Sequence, residues 1–289
     1  MRIDAHQHFW AINDADYVWM SDEHDVIRRD FLPDDLKPLL NQARLDGCVA
    51  VQARQMAEET SWLLELADRH DQIAGVVGWV PLATEAGEPF LEEFASHPKL
   101  VGVRHVVHDE PDDDFVLRAD FGEGIRRLGE YGLVYELLIF ERHLPQCIAF
   151  VDRHPSQPFV VDHIAKPQIR AGAFDQKWAD GIRELAQREH VSCKLSGMVT
   201  EVRGGGWDAD LLRPYFETVL EAFGVERLMF GSDWPVLLLR SEYGEWFRCV
   251  EELTSTLSAG EQASIWGGSA ERAYGLGDGG IVAGDHLFV

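Results

Sequence analysis

The chain has 289 residues, of which 46% are hydrophobic and 26% are charged, so it carries enough apolar mass for one large core. This composition excludes a disordered or fibrous protein. The 50 acidic residues outnumber the 26 basic ones, and the formal charge of −24 repels nucleic acid and anionic membrane surfaces, which are therefore not expected as partners.

Eight short runs rich in β-forming residues alternate along the chain with longer segments of helical periodicity. The runs cover residues 2–8, 47–52, 74–80, 100–108, 133–140, 158–163, 191–195 and 227–230. The predicted helices cover residues 34–45, 59–69, 90–95, 121–130, 144–153, 175–188, 209–222 and 242–257, with a further helix over 258–274. Eight such units predict an α/β fold, a (β/α)8 TIM barrel, as a single domain over residues 1–276; a doubly wound open sheet is the alternative. Residues 277–289 are glycine-rich and are predicted to form a C-terminal tail.

The cysteines and the N-terminus indicate the compartment. Four cysteines are scattered along the chain without CxxC pairs, which is typical of reduced thiols rather than of a disulfide framework or a zinc knuckle. No apolar run reaches the ~18 residues of a membrane span, and the first residues lack the apolar segment of a signal peptide. We therefore expect a cytoplasmic protein.

The first run ends in His6-Gln7-His8. Side chains two residues apart on a strand point to the same face, so both imidazoles are expected at the mouth of the barrel. Two histidines at this spacing can bind one divalent cation through neutral ring nitrogens. The alternative is a pair of buried, hydrogen-bonded histidines.

Two later runs also end in residues that can carry chemistry. Asp162 and His163 close the sixth run, which places the imidazole at the same rim; Asp162 is expected to alternate to the outer face. Asp233 follows a Gly-Ser bend after the eighth run, at the end of the barrel where catalytic side chains reside. It could accept a proton from water and contact a metal. The alternatives are a hydrogen-bonded rim histidine and a helix-capping aspartate.

This pattern of HxH on the first strand, His on the sixth and Asp on the eighth resembles the amidohydrolase superfamily. Four phrases resemble its sugar-lactonase branch, the L-fuconolactonase- and L-rhamnonolactonase-like "amidohydrolase 2" proteins. These phrases are RIDAHQHFW from residue 2, DHIAKP from residue 162, CKLSG from residue 193 and FGSDWPV from residue 230. The resemblance spans residues 1 to about 275.

The resemblance implies a hydrolase that opens the ester ring of a sugar lactone, such as L-fucono- or L-rhamnono-lactone, to the open-chain acid. It also implies either catalysis without metal or one divalent ion, zinc or manganese. The residues that would hold this ion are His6, His8, His163 and Asp233. A two-metal centre is not expected, because strand four offers Arg104 and His105 where relatives with two metals carry a bridging lysine. The alternatives are a metal-dependent decarboxylase of the same superfamily and a non-catalytic sugar-binding barrel. A homo-oligomer stays open.

Further polar residues lie in or just after predicted strands. A buried arginine either pairs with a carboxylate or binds substrate oxygens. Arg104 and His105 alternate, so only one faces inward in a regular strand, and Arg104 is favoured. Glu136 and Lys194 either contact the substrate or form buried ion pairs. The residues expected to bind substrate are Gln52, Arg104, His105, Glu136 and Lys194, and the expected catalytic residues are Asp233 as general base, His163 and Arg104.

Overall fold

A computed structural model describes residues 1–13, 16–17 and 20–277. Eight parallel strands form one sheet in sequence order, from β1 to β8. They are β1 Ile3–Gln7, β2 Gly47–Val51, β3 Ile73–Gly78, β4 Leu100–His105, β5 Val134–Leu137, β6 Phe159–Val161, β7 Val191–Leu195 and β8 Leu228–Phe230. The predicted tail over 277–289 lies outside the described residues, except for Gly277.

The segment after β8 brings the sheet back to β1. The backbone N–H of Asp233 donates to the carbonyl of His6 at 2.8 Å, and that of His8 donates to the carbonyl of Trp234 at 2.7 Å. The eight strands therefore form a nearly closed barrel, and the predicted (β/α)8 fold is confirmed. None of the described helices combines the length and the apolarity that crossing a membrane requires.

Helices follow the strands and pack against the outside of the barrel. They are α1 Pro33–Ala43, α2 Ala57–Arg69, α3 Gly87–Phe94, α4 Ala119–Glu130, α5 Leu144–Asp152, α6 Gln176–Leu185, α7 Ala209–Phe223, α8 Tyr243–Leu253, α9 Ala259–Ala263 and α10 Ser269–Tyr274. The helix predicted over 258–274 is thus divided, with a π-helical turn over Ser264–Gly268. At this turn Gly267 packs so closely on the N-terminal strand that a Cβ would lie 1.9 Å from the carbonyl oxygen of Met1.

The interior of the barrel has two layers of side chains. The lower layer is apolar and includes Val134 and Val160, and the barrel is closed beneath it by Tyr274 of α10. Two residues further along the same strands, Glu136 and Asp162 occupy an upper layer of buried charged groups. This charged layer lies at the carboxyl ends of the strands, where catalytic side chains of such barrels are found.

A bulge in β1 brings its histidines into the upper layer. Ile3 and Ala5 belong to the apolar interior, so regular alternation would turn His6 outward. The pairing of β1 with β2 shifts register between Asp4 and Gln7. Such an extra residue reverses the alternation, and His6 therefore faces the interior as well.

Candidate active site

The four residues singled out as metal ligands meet at the carboxyl end of the barrel. Nε2 of His6 lies 3.2 Å from Nε2 of His8. Oδ1 of Asp233 lies 3.4 Å from Nε2 of His8 and 3.7 Å from Nε2 of His6. His6, His163 and Asp233 also offer three ligand atoms within 4.8 Å of one another. Side chains from β1 and from the segments after β6 and β8 thus form one cluster.

The ring nitrogens of the cluster suit a metal ion. Nδ1 of His8 lies 2.8 Å from the carbonyl oxygen of Val51, which can only accept, so a neutral His8 carries its proton on Nδ1 and a lone pair on Nε2. Burial lowers the pKa of His163 to about 4 and holds that of His6 well below its ordinary value, so both rings are neutral near pH 7. Three imidazoles and one carboxylate form a ligand set of the kind that holds a single divalent cation.

An unusual backbone turn directs His163 into this cluster. Four consecutive non-glycine residues, from His163 to Lys166, have left-handed φ values between 48° and 60°. The turn is held by a hydrogen bond of 2.6 Å from the indole N–H of Trp178 to the carbonyl of Ile164. Gly197 makes room for the ring, because a Cβ there would lie 2.6 Å from Nδ1 of His163. Backbone strain of this kind is concentrated at functional sites.

Asp162 faces the interior, and its expected outward orientation is wrong. Val160 lies in the barrel interior, so Asp162, two residues later, also points inward. Its Oδ1 lies 3.3 Å from Nδ1 of His6, and its Oδ2 accepts a hydrogen bond from Arg104 at 3.0 Å. Burial opposes ionisation, but Lys194, His6 and Arg104 hold the pKa of Asp162 well below its usual range. The ionised carboxylate therefore balances the charge of the buried cations Arg104 and Lys194.

Arg104 faces the interior, as strand alternation predicts, but it binds protein groups. Its Nε and Nη2 donate to Oε1 of Gln52 at 3.1 and 2.7 Å, and Nη2 also donates to the backbone carbonyl of Gln52. Nη1 donates to Asp162 and lies 3.4 Å from Nε2 of His6. The donors of the guanidinium are thus committed within the barrel, where Gln52 accepts from them, and the substrate contact expected of Gln52 stays a prediction.

Lys194 and Glu136 are fully buried beneath the histidines. Nζ of Lys194 lies 2.7 Å from Oε1 of Glu136, 3.0 Å from Nδ1 of His6 and 3.1 Å from Oδ1 of Asp162. The hydroxyl of Tyr274 donates to the same oxygen of Glu136, and burial together with Asp162 raises the pKa of Glu136. The two residues form the buried ion pair that was the alternative, and the substrate contacts expected of them stay a prediction.

His105 lies outside the cluster, and the substrate contact expected of it stays a prediction. Its Nε2 lies 2.7 Å from Glu110, and its ring stacks on Phe115 with centroids 4.8 Å apart. The indole N–H of Trp79 also donates to its Nδ1 at 3.3 Å. Because Arg104 points into the barrel, the next side chain points away from it.

A cavity of about 560 Å³ opens over the cluster, a size suited to a small-molecule ligand. His8, Arg104, His163 and Asp233 reach it, whereas Gln52, Glu136 and Lys194 do not contribute to its described lining. Sequence reasoning missed several lining residues, namely Arg54, Gln55, His108 and Lys166. Lys166 had a usable signal, because it stands three residues after His163 in the phrase DHIAKP.

Fold and site together define an amidohydrolase-type barrel. Residues 3–276 match the family described as amidohydrolase, and the chain belongs to this family. An L-fucono-1,5-lactonase from Burkholderia multivorans is 45% identical over 289 residues, covering 96% of each chain. An L-fucono-1,5-lactonase from Burkholderia ambifaria is 38% identical over 279 residues, covering 94% of this chain and 95% of its own.

Solved structures agree with this similarity. A crystal structure of an amidohydrolase from Burkholderia multivorans with bound zinc superimposes with a TM-score of 0.89 at 44% identity. The match covers 96% of this chain and 100% of that chain. A bound zinc ion in so similar a barrel is consistent with the ligand cluster described above.

Proposed function

We propose that the protein hydrolyses the ring ester of a sugar lactone, with L-fucono-1,5-lactone as the first substrate to test. The observation that carries the proposal is the convergence of four side chains, His6, His8, His163 and Asp233, beneath a cavity of about 560 Å³. The 45% identity to a lactonase over nearly the whole chain supports the choice of substrate.

Asp233 is the general base of the proposed reaction. Burial opposes its ionisation, but His163, His8 and His6 hold its pKa below the usual range, so it is a carboxylate at neutral pH. It accepts a proton from the water that attacks the lactone carbonyl. The bond between the carbonyl carbon and the ring oxygen then breaks, and Asp233 returns the proton to that oxygen. The product is an open-chain hydroxy acid.

The three histidines and Asp233 would hold one divalent ion, zinc or manganese. When bound, such an ion polarises the lactone carbonyl or the attacking water. Val51 prepares this ligand set, because its carbonyl accepts a hydrogen bond from Nδ1 of His8 and so fixes the orientation of that ring from behind. The cytoplasmic location and the lack of nucleic-acid and membrane partners remain predictions from composition.

A pH-indicator assay over a panel of sugar lactones tests the proposal, with metal-stripped protein and with protein supplied with zinc or manganese. We expect acid release from L-fucono-1,5-lactone, with L-rhamnono-lactone as the second candidate. Absence of acid release in every metal state would contradict the proposal. Release of CO₂ from aromatic acids would instead support the decarboxylase, and stoichiometric sugar binding without turnover would support a binding protein.

A further inference from the structure

Hydrolysis of a lactone places negative charge on the carbonyl oxygen, and a cation facing the cavity would stabilise it. Two arginines line the cavity, and both donate hydrogen bonds to side chains of the protein. Arg104 donates to Gln52 and Asp162, as described above. Nε of Arg54 donates to Oε1 of Glu59 at 3.1 Å, and its Nη1 donates to Asp16.

Lys166 lines the same cavity and is held much more loosely. Its one ion-pair partner within the described part of the chain is Glu201, whose Oε1 lies 3.5 Å from Nζ, beyond the usual hydrogen-bond range. Oε2 of Glu201 accepts a shorter bond of 2.9 Å from Arg203. With 18% of its side chain exposed, Lys166 keeps donors that a ligand in the cavity can use.

The left-handed turn fixes Lys166 relative to His163. The backbone N–H of Lys166 donates to the carbonyl of His163 at 2.8 Å, which closes a turn of three residues. In a turn of this period the side chains at i and i+3 lie on the same side. The ring of Phe140 supports the ammonium group, with its centroid 5.7 Å from Nζ. Lys166 and the cluster histidine His163 therefore face the cavity together.

We propose that Lys166 is a further catalytic residue, which binds the carbonyl oxygen of the lactone and, after ring opening, the carboxylate of the product. The inference rests on the proposed lactonase function. As water adds to the carbonyl carbon, the C=O double bond becomes a single bond and its electron pair moves to the oxygen. The ammonium group of Lys166 donates a hydrogen bond to this oxygen, and charge assistance makes that bond stronger in the transition state than in the ground state.

The test compares Lys166→Met with Lys37→Met, which removes the same charge from the exposed surface of α1. We expect Lys166→Met to lower kcat/KM about 10²–10³-fold, the loss typical of an oxyanion donor. Inhibition by L-fuconate, the product carboxylate, should weaken at least ~10-fold, while inhibition by the uncharged sugar L-fucose should not change. Lys37→Met should behave as the wild type, and Lys166→Arg should recover part of the loss. Thermal unfolding midpoints equal to that of the wild type show that the variants fold.

Two results would overturn the inference. The first is that the kinetics of Lys166→Met match those of Lys37→Met. The second is that Lys166→Met weakens inhibition by L-fuconate and by L-fucose equally, which indicates a merely structural role. If the wild type opens no lactone, the proposed function fails, and calorimetry with the same two ligands still decides the role of Lys166. A wild-type preference for the carboxylate that Lys166→Met loses supports the role. Absence of that preference in the wild type contradicts it.

Discussion

Two neighbouring layers of the barrel interior differ sharply, although they are built from the same strands. On β5 and β6 the lower layer contains Val134 and Val160, and two residues further on the upper layer contains Glu136 and Asp162. Each lower side chain needs only to be apolar and of suitable size. Each upper side chain needs a partner from another strand, because a buried charge without a partner is strongly destabilising.

Hydrogen bonds and ion pairs therefore link the side chains of the upper layer across strands, whereas those of the lower layer make only apolar contacts. Lys194 of β7 contacts acceptors on three other segments, and Arg104 of β4 joins Gln52 to Asp162. These contacts end at the ring of His6. The charged layer therefore positions the reactive cluster, whereas the apolar layer supplies stability.

The largest expected effect follows from removing the base above the charged layer. Asp233→Asn keeps the shape of the side chain but cannot accept a proton from water, so kcat should fall about 10²–10⁴-fold with little change in substrate affinity. Steady-state kinetics on the lactone measure both quantities. Asp210→Asn, on the exposed surface of α7, is the matched control. Near-normal turnover by Asp233→Asn would eliminate this role.

Removing the cation that Glu136 and Asp162 share in the upper layer should destabilise the protein strongly. Lys194→Met leaves Glu136 and Asp162 buried without their shared cation, and the free energy of unfolding should fall by about 3–5 kcal/mol. Denaturant unfolding measures the loss. Asp162 keeps Arg104 as a partner, whereas Glu136 is left without a cation. Adding Glu136→Gln removes this carboxylate, so the double variant should regain part of the stability. If Lys194→Met leaves the midpoint of unfolding unchanged, the contacts of Lys194 across the strands do not contribute to stability.

The sequence predicted the barrel and its strands better than the partners within the charged upper layer. Alternation and the eightfold rhythm were sufficient for the strands, and the motif ends predicted that His6, His163 and Asp233 would meet. Asp162 was assigned the wrong face because alternation was counted back from His163, which a left-handed turn after β6, rather than the strand itself, turns inward. The buried partners of Lys194 could not be predicted either, because a strand pattern shows which face a residue is on but not which side chains it contacts there.

A substitution that creates a cavity in the lower layer tests whether stability and catalysis belong to different layers. Val160→Ala removes two buried methyl groups and should lower the free energy of unfolding by about 2 kcal/mol. Because the charged layer keeps its partners, kcat should stay within a factor of about two of the wild-type value. Denaturant unfolding and lactone kinetics on the same preparation measure the two effects. A loss of kcat comparable to that of Asp233→Asn would show that the layers are not separable.

The last expected effect is a pH dependence of stability to which the buried histidines of the cluster contribute. Burial lowers the pKa of His163 to about 4, whereas an exposed histidine of the unfolded chain titrates near 6.5. Between these values the unfolded state binds a proton that the folded state does not, so stability should fall as the pH drops from about 6.5 to about 4. The slope reaches ~1.4 kcal/mol per pH unit for one such histidine, and the lowered pKa of His6 acts in the same direction. Unfolding of metal-stripped protein across this range measures the slope, which His163→Asn should reduce. Val160→Ala removes no titratable group, so it should lower the free energy of unfolding at every pH without changing the slope. If His163→Asn and the wild type have equal slopes, the titrating group is not His163.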